Sequence, residues 1–578
     1  MMHSAAKRPL IVLAALLPCA CDGLPSTQTP AAFAFVDVAR AGGIDHVCLS
    51  GDPRRWYIVE SNGNGAAWLD CDGDGDMDLF LGNGSTLEYL ENGARLRARA
   101  DGRSKLYRND GGMKFTDVSV ASGLDRADWV NGVATGDGDN DGDTDMYLAC
   151  FGADVYLRND GGRFVDATQE SGLGNLKWAA SAAFGDVDND GDLDLYVANY
   201  CEFDLAAPPD GGARNKIGEI EVGWGPEGEN KRGFNVGAPD VFFENLGAGK
   251  FREATAAFGF VLDKPHCSYG VTFSDVDGDG WQDVLVANDL QPCDLFHNDG
   301  RGRFREQGLQ RGFALTAAGA PTGAMGMIAA DIDGDGDFDV LRTNFDFEAN
   351  SLLINDGKGN FKDVAGALGL GEPSVDKLGW DGGFFDAELD GDLDLMVANG
   401  HVYPQGTQID MGPWKQVTQF FEARRDGGAG LRYEDVTARA GAGLSGAHAA
   451  RGLALGDADD DGDIDVAVLA IDEQVRLLEN QSPRRGHWVS VRTRGTRSNR
   501  DGYGAVIRVT AGGRTFAAES RSSSGLYSAN DPRIHFGLGA VDGIESIEVR
   551  WPSGARSRLV KPALDRLHVI EEPMENTK

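Results

Sequence analysis

The sequence predicts an all-β protein, a radially repeated propeller followed by a small second β domain. Three observations predict it. An acidic nine-residue motif recurs seven times at a spacing far longer than itself. Short alternating apolar segments flank each copy, and the charge balance reverses near residue 483. The length, 578 residues, fits one large repeat architecture plus a module.

The motif D-x-D-x-D-G-x-x-D begins at Asp70, Asp137, Asp186, Asp275, Asp331, Asp386 and Asp457. Successive starts lie 49 to 89 residues apart, the size of a propeller blade rather than of a tandem loop. The chain carries 91 Asp+Glu against 54 Lys+Arg. The seven windows hold 35 of those acids and no base, so outside them 56 acidic residues face 54 basic ones. Nearly all of the excess charge therefore sits in these loops. A chain this acidic does not present the clustered Lys and Arg that nucleic acid or anionic membrane surfaces require. Its 41% hydrophobic residues are enough for a core, which excludes disorder of the whole chain.

Carboxylates packed this closely repel one another, and a hard divalent cation removes the conflict. Calcium takes six to eight oxygens. Positions 1, 3, 5 and 9 would give carboxylates, position 6 glycine a sharp turn, and position 7 a backbone carbonyl. The candidate ligands are Asp70, Asp72, Asp74, Asp76 and Asp78; Asp137, Asp139, Asp141, Asp143 and Asp145; and Asp186, Asp188, Asp190, Asp192 and Asp194. The fourth loop gives Asp275, Asp277, Asp279, Trp281 and Asp283, and the fifth Asp331, Asp333, Asp335, Asp337 and Asp339. The last two give Asp386, Glu388, Asp390, Asp392 and Asp394, then Asp457, Asp459, Asp461, Asp463 and Asp465. Trp281 at position 7 supports a backbone ligand there, and Glu388 lengthens one ligand of the sixth loop. Up to seven calcium ions follow. An EF-hand is excluded because position 12 is Leu, Val or Arg, never Glu. Calcium β-helices need adjacent copies, and these are not adjacent.

Alternation after each loop (Leu193, Leu195, Val197) predicts a strand. A second hairpin follows, with Asn-Asp-Gly in its turn, as in LYRNDGGMKFTDV from Leu106; these residues accept positive φ. Each repeat is thus strand, acidic loop, strand, connection, strand, glycine turn, strand, and the prediction is a seven-bladed β-propeller. The seventh repeat lacks its fourth strand, and Phe35-Val36-Asp37-Val38 matches that strand's signature, so an N-terminal strand closes the ring and removes an edge. The acidic loops then share one face. The insertions Gly82 to Ser104, Tyr200 to Pro239 and Gly400 to Thr418 lie on the other, with Trp224, His401, Tyr403 and Trp414. That face is the candidate for an unknown protein or glycan partner. Cys267–Cys293 and Cys150–Cys201 are candidate disulfides.

Residues 1–21 read as a signal peptide. Lys7 and Arg8 precede a short apolar run, and Cys21 after Ala20 is the lipidation candidate, with ordinary secretory cleavage as the alternative. A linker, 22–32, leads into the propeller at 33–482; a β domain occupies 483–572 and a tail 573–578. The expected location is extracytoplasmic, lipid-anchored or secreted. Residues 484–578 carry 16 Lys+Arg against 10 Asp+Glu. Their arginines read either as anion or glycan contacts or as outward residues beside an acidic propeller.

The repeats resemble the FG-GAP/VCBS repeats of integrin α-type propellers. HWVSVRTRGTRSNRDGYGAVIRVTAGG, HFGLG and IEVRWPSG resemble the ASPIC/UnbV domain, and the combination is similar to the cartilage acidic protein family and its bacterial relatives. GWDGGFFDAELDGDLDLMVANGHVYP (Gly379 to Pro404) carries the same likeness. The resemblance implies calcium at the loop positions and an extracytoplasmic interaction role; the EGF-like module of the animal members is absent from this sequence. The function expected is a calcium-binding, non-catalytic interaction or adhesion protein. The alternative is an enzyme or biosynthetic accessory protein working at the insertion face. No HExxH, P-loop or strand-bound GxGxxG occurs, and His266, His297, His401 and His448 are scattered.

Overall fold

The computed structural model describes residues 33–574, except 91–94, 209–214, 218–219, 223–235, 410, 427–429 and 524. Segments 1–21 and 22–32, with Cys21, lie outside the described residues, as do Trp224 and residues 575–578.

Within 33–482 the described residues form two separate two-stranded hairpins, Leu87–Leu90 with Arg95–Ala98 and Asn215–Ile217 with Ile220–Val222, and seven sheets, each with a run of four antiparallel strands. The first comprises Ala66–Leu69, Asp78–Leu81, Lys105–Asn109 and Phe115–Asp117. The first strands of the next six are Val130–Gly136, Ala179–Gly185, Ser268–Ser274, Met327–Ala330, Gly379–Phe385 and Ala450–Gly456. In the seventh sheet the fourth strand is Phe35–Asp37, which pairs with Arg476–Asn480 so that Phe35 faces Asn480 and Asp37 faces Leu478. Each first strand contacts the first strand of the next sheet, and Ala450–Gly456 contacts Ala66–Leu69, so the sheets close into a ring.

Both faces of these sheets are buried. Leu195 and Val197 pack toward the second sheet, while the intervening Tyr196 and Ala198 pack toward the fourth. Alternation in the sequence therefore separates two apolar layers rather than core from solvent, which is why Asp194–Asn199 is buried throughout.

Residues 487–571 form two further sheets. One orders Ile534–Gly539, His487–Arg494 and Leu567–Glu571; the other orders Arg514–Glu519, Val506–Ala511, Ile544–Arg550 and Arg556–Val560. They enclose Val489, Val491, Ile507, Val509, Ile547 and Trp551. The sequence pattern does not announce Arg514–Glu519 and Arg556–Val560, because both are edge strands with little apolar periodicity, the first half-buried and the second largely exposed.

A segment of this module fills the centre of the ring. Between Glu519 and Arg533 it touches the inner strand of every sheet. Trp68 N–H donates to Ala529 O (3.1 Å), Val133 N–H to Tyr527 O (2.9 Å), and Phe184 N–H to Ser522 Oγ (2.8 Å). Ser274 Oγ donates to Glu519 Oε2 (2.9 Å), Met327 N–H to Gly525 O (3.0 Å), and Leu455 N–H to Asn530 Oδ1 (2.9 Å). On the sixth sheet Asp381 accepts from Leu526. Gly525 sits at φ +102°, and a Cβ there would overlap Asp381 Oδ1. From the opposite face a second segment, around Ile58–Glu60, enters the channel. Asn62 bonds Tyr269 Oη (3.1 Å), and the buried Arg451 donates to Ser61 O (2.6 Å) and His401 O (2.8 Å). Tyr57, Tyr269, Trp380, Leu526 and Tyr527 meet in one apolar cluster between the two segments.

Candidate metal-binding loops under the C-terminal module

All seven acidic loops share one backbone. The position-6 glycines (Gly75, Gly142, Gly191, Gly280, Gly336, Gly391, Gly462) lie at φ +92° to +106°. Position 4 is also left-handed in every loop, occupied by Gly73, Asn140, Asn189, Gly278, Gly334, Leu389 and Asp460. Leu389 is the strained exception, since a branched aliphatic residue seldom adopts positive φ.

Hydrogen bonds fix the carboxylates. Asp186 takes Asp190 N–H (3.0 Å) and Gly191 N–H (3.1 Å), and Asp386 takes Asp390 N–H (3.0 Å) and Gly391 N–H (2.7 Å). The position-5 carboxylate accepts the position-7 N–H in all seven loops, Trp281 included (2.9 Å). That turn holds the position-7 amide whatever its side chain, and position-7 side chains are used elsewhere: Asp192 takes Asn140 Nδ2 (2.6 Å) and Asp143 takes Gly161 N–H (2.8 Å). Position 9 is bonded twice. Asp194 accepts Val187 N–H (3.2 Å) and Asn245 N–H (2.8 Å), tying the loop to the third strand, and Asp145 is held likewise by Gly138 (3.0 Å) and Asn159 (2.8 Å).

The asparagine of the Asn-Asp-Gly turn has a different role from the one its type suggests. Positive φ falls on the following glycines, such as Gly111 (+83°) and Gly161 (+63°), not on Asn109 or Asn159. Asn245, the equivalent residue in the third sheet's Asn-Leu-Gly turn, instead donates from Nδ2 to Leu193 O of its own sheet (3.0 Å) and Gly138 O of the preceding one (2.9 Å). Asn298 and Asn355 repeat this link with Val187 O (2.8 Å) and Val276 O (2.7 Å). Ala423 stands in this place in the sixth sheet, and Arg425 reaches Ile332 O (3.2 Å) instead.

The donor set is all oxygen and could hold metal ions: carboxylate oxygens converge in Asp70/Asp72/Asp74, Asp137/Asp139/Asp145, Asp186/Asp188/Asp190 and Asp275/Asp277/Asp279. Asp275 Oδ1 and Asp277 Oδ1 are buried without a hydrogen-bond partner. Burial, reinforced by neighbouring carboxylates, pushes Asp137 and Asp186 up to about 7 and Asp457 up to about 8. A cation would relieve that penalty. The fourth loop differs, because His297 Nδ1 lies 2.9 Å from Asp283 Oδ1.

The module covers this face, and its arginines meet the loops. Arg550 pairs with Asp275 (2.6 Å), Arg485 with Glu388 (2.9 Å), Arg484 with Asp461 (2.8 Å), Arg514 with Asp392 (3.0 Å), and Arg533 with Asp460. Positions 1, 3 and 5 of loops one, two, three and five have no Lys or Arg ion pair among the described residues. Of the sequence's two readings of these arginines, the contacts with the acidic ring account for those five.

On the insertion face, His401 and Tyr403 are buried and Trp414 is half-buried beneath the Arg55 and Arg451 guanidiniums. They are packing anchors, not a displayed surface. The predicted disulfides do not form: Cys150, Cys201 and Cys293 are free thiols. Cys267 and Cys293 lie in different apolar layers, as do Cys150 and Cys201. Each scattered histidine has its own carboxylate: His266 with Asp294 (2.9 Å), His297 with Asp283, His448 with Glu473 (2.5 Å), and His401 at 3.7 Å from Asp346. No described helix is long and apolar enough to cross a membrane.

The model of the FG-GAP-like repeat matches residues 70–148, 138–197 and 275–342, and that of ASPIC and UnbV matches residues 495–577. Cartilage acidic protein 1 of Xenopus tropicalis is 29% identical over 185 residues, 31% of this chain and 28% of that protein. The Homo sapiens protein is 27% identical over 186 residues, 31% and 27% of the two chains. The matched stretch thus spans under a third of these relatives. Among solved structures, YCF48 bound to a D1 peptide aligns over 79% of this chain and 98% of its own (8% identity, TM-score 0.38). BBS1N in complex with ARL6DN aligns over 78% and 97% (10% identity, TM-score 0.39). Stretches of the chain therefore match FG-GAP-like repeats and an ASPIC and UnbV domain, and the chain resembles the cartilage acidic proteins.

Proposed function

We propose that the protein is a calcium-stabilised, extracytoplasmic interaction protein: a seven-bladed β-propeller whose acidic loops bind calcium beneath its C-terminal module. The observation that carries this reading is the sevenfold repetition of one all-oxygen loop, with its turn and hydrogen bonds kept even where Trp281 replaces an acid. Calcium supplies charge neutralisation there. The chain's own residues orient the oxygens and hold the loops to the third strands. With the acidic face occupied by the module, the insertion face remains the candidate surface for a protein or glycan partner. Lipid anchoring through Cys21 and a non-catalytic role belong to the same proposal, supported by the sequence signal and by the separation of the histidines.

Calorimetric titration of the intact chain with calcium and with magnesium tests it. Saturable calcium-selective binding is expected, and Asp188→Asn with Asp190→Asn should remove one equivalent. Unchanged stoichiometry in that variant would contradict the loop assignment.

A further inference from the structure

A cavity of about 380 Å³ lies between the ring and the module. Its ring wall includes Ile328, Phe384 and Phe385, and its module wall Phe516, Ala517 and Phe536. This is the size and apolar character of small-molecule pockets, and the space opens to solvent beside the exposed Arg514.

Most of the charges around it are already satisfied. Arg521 donates to Phe273 O (3.0 Å), Ala329 O (2.9 Å) and Glu519 (2.7 Å). Arg533 is held by Asp531 (2.6 Å) and Asp460, and Arg425 by Asp392 (2.8 Å) and Asp333 O (2.8 Å). Two groups remain. Arg514 stands over the Phe516 ring at 4.9 Å and uses only Nη2, on Gly391 O (3.0 Å) and Asp392 (3.0 Å). Its Nε and Nη1 make no hydrogen bond among the described residues. His535, stacked on Trp488, leaves Nε2 without a partner.

We propose that this cavity binds one amphipathic small molecule, with an apolar or aromatic body between the phenylalanines and a single acidic head on Arg514. The calcium reading does not require such a site, but the cavity borders loops five and six through Asp331, Asp333, Asp386 and Asp392, so each titration is run both with calcium and with a chelator.

The intact chain would be titrated with anilinonaphthalene sulfonate, which is apolar with one anionic head, and with uncharged Nile red. Each should show one saturable site with blue-shifted emission. Ala517→Trp fills the cavity from the module and Ala330→Phe from the ring. Either should weaken both probes at least tenfold in a chain that melts as the parent does. Arg514→Gln should weaken the sulfonate at least threefold and leave Nile red unchanged. No saturable binding, a stoichiometry far from one, or parent-like binding in a folded cavity-filling variant would overturn the site. Equal effects of Arg514→Gln on both probes would overturn the acidic head.

Discussion

Asp381 Oδ accepts the backbone N–H of Leu526 at 2.9 Å across 145 residues of chain, joining the inner strand of the sixth sheet to the segment that fills the ring. Gly382 (2.9 Å), Leu453 (3.1 Å) and Tyr527 (3.4 Å) donate to the same buried carboxyl. The module is therefore part of the ring's core rather than an appendage.

Asp381→Ala leaves these donors without an acceptor, and an unsatisfied buried donor costs about 1–3 kcal/mol. The variant should lose about 2–4 kcal/mol in urea unfolding. A loss below about 0.5 kcal/mol, the level of a neutral surface substitution, would contradict the central role given to this contact.

Asn245→Ala removes two hydrogen bonds to buried carbonyls, one of them to the neighbouring sheet. Heat unfolding should show about 1–3 kcal/mol of destabilisation. Asn360→Ala, which breaks only bonds to exposed Asp356, should leave the melting temperature nearly unchanged.

The ion pairs predict two classes of calcium loop. In loops four, six and seven a guanidinium already sits on a candidate ligand, through Arg550, Arg485 and Arg484. Loops one, two, three and five should bind more tightly. Arg550→Gln should strengthen calcium binding at loop four, read by titration calorimetry, and an unchanged isotherm would refute the competition.

Without calcium, stability should fall between pH 6.5 and 8. Burial holds Asp145, Asp154 and Asp339 up to about 8 and Asp240 and Asp381 up to about 7, whereas the unfolded chain releases those protons near 3.8. The native state binds more protons in that window, so raising the pH favours unfolding. His46, His401 and His535, pushed down to about 4 by burial, oppose this only below about 6.5. Saturating calcium should flatten only the share of the decline owed to Asp145 and Asp339, where the ion takes the protons' place, and leave the share owed to Asp154, Asp240 and Asp381. Melting temperatures across that range check both arms.

Much of the ring was legible because its unit repeats. The acidic loop marks each first hairpin, and an aromatic residue two before Asp or Glu marks the fourth strand even where Phe35 and Asp37 have moved to the other end of the chain. What was not legible depends on long-range packing. Nothing local in Ser520–Arg533 says that it fills a channel, because polar side chains such as Asn530 and Ser522 find their partners on strands 75 and 338 residues away. The left-handed position 4 was legible in principle, since Gly, Asn and Asp occupy it in six of seven loops. The arginines of the module were visible as composition, but their pairing with the loops follows from docking alone.

The most direct test is thermal unfolding of the mature chain with calcium, with magnesium and with a chelator. The account predicts a large rise in melting temperature specific to calcium, lost on chelation, with the ring and the module melting together. Equal melting temperatures in all three conditions would contradict the assignment of the acidic loops as metal sites.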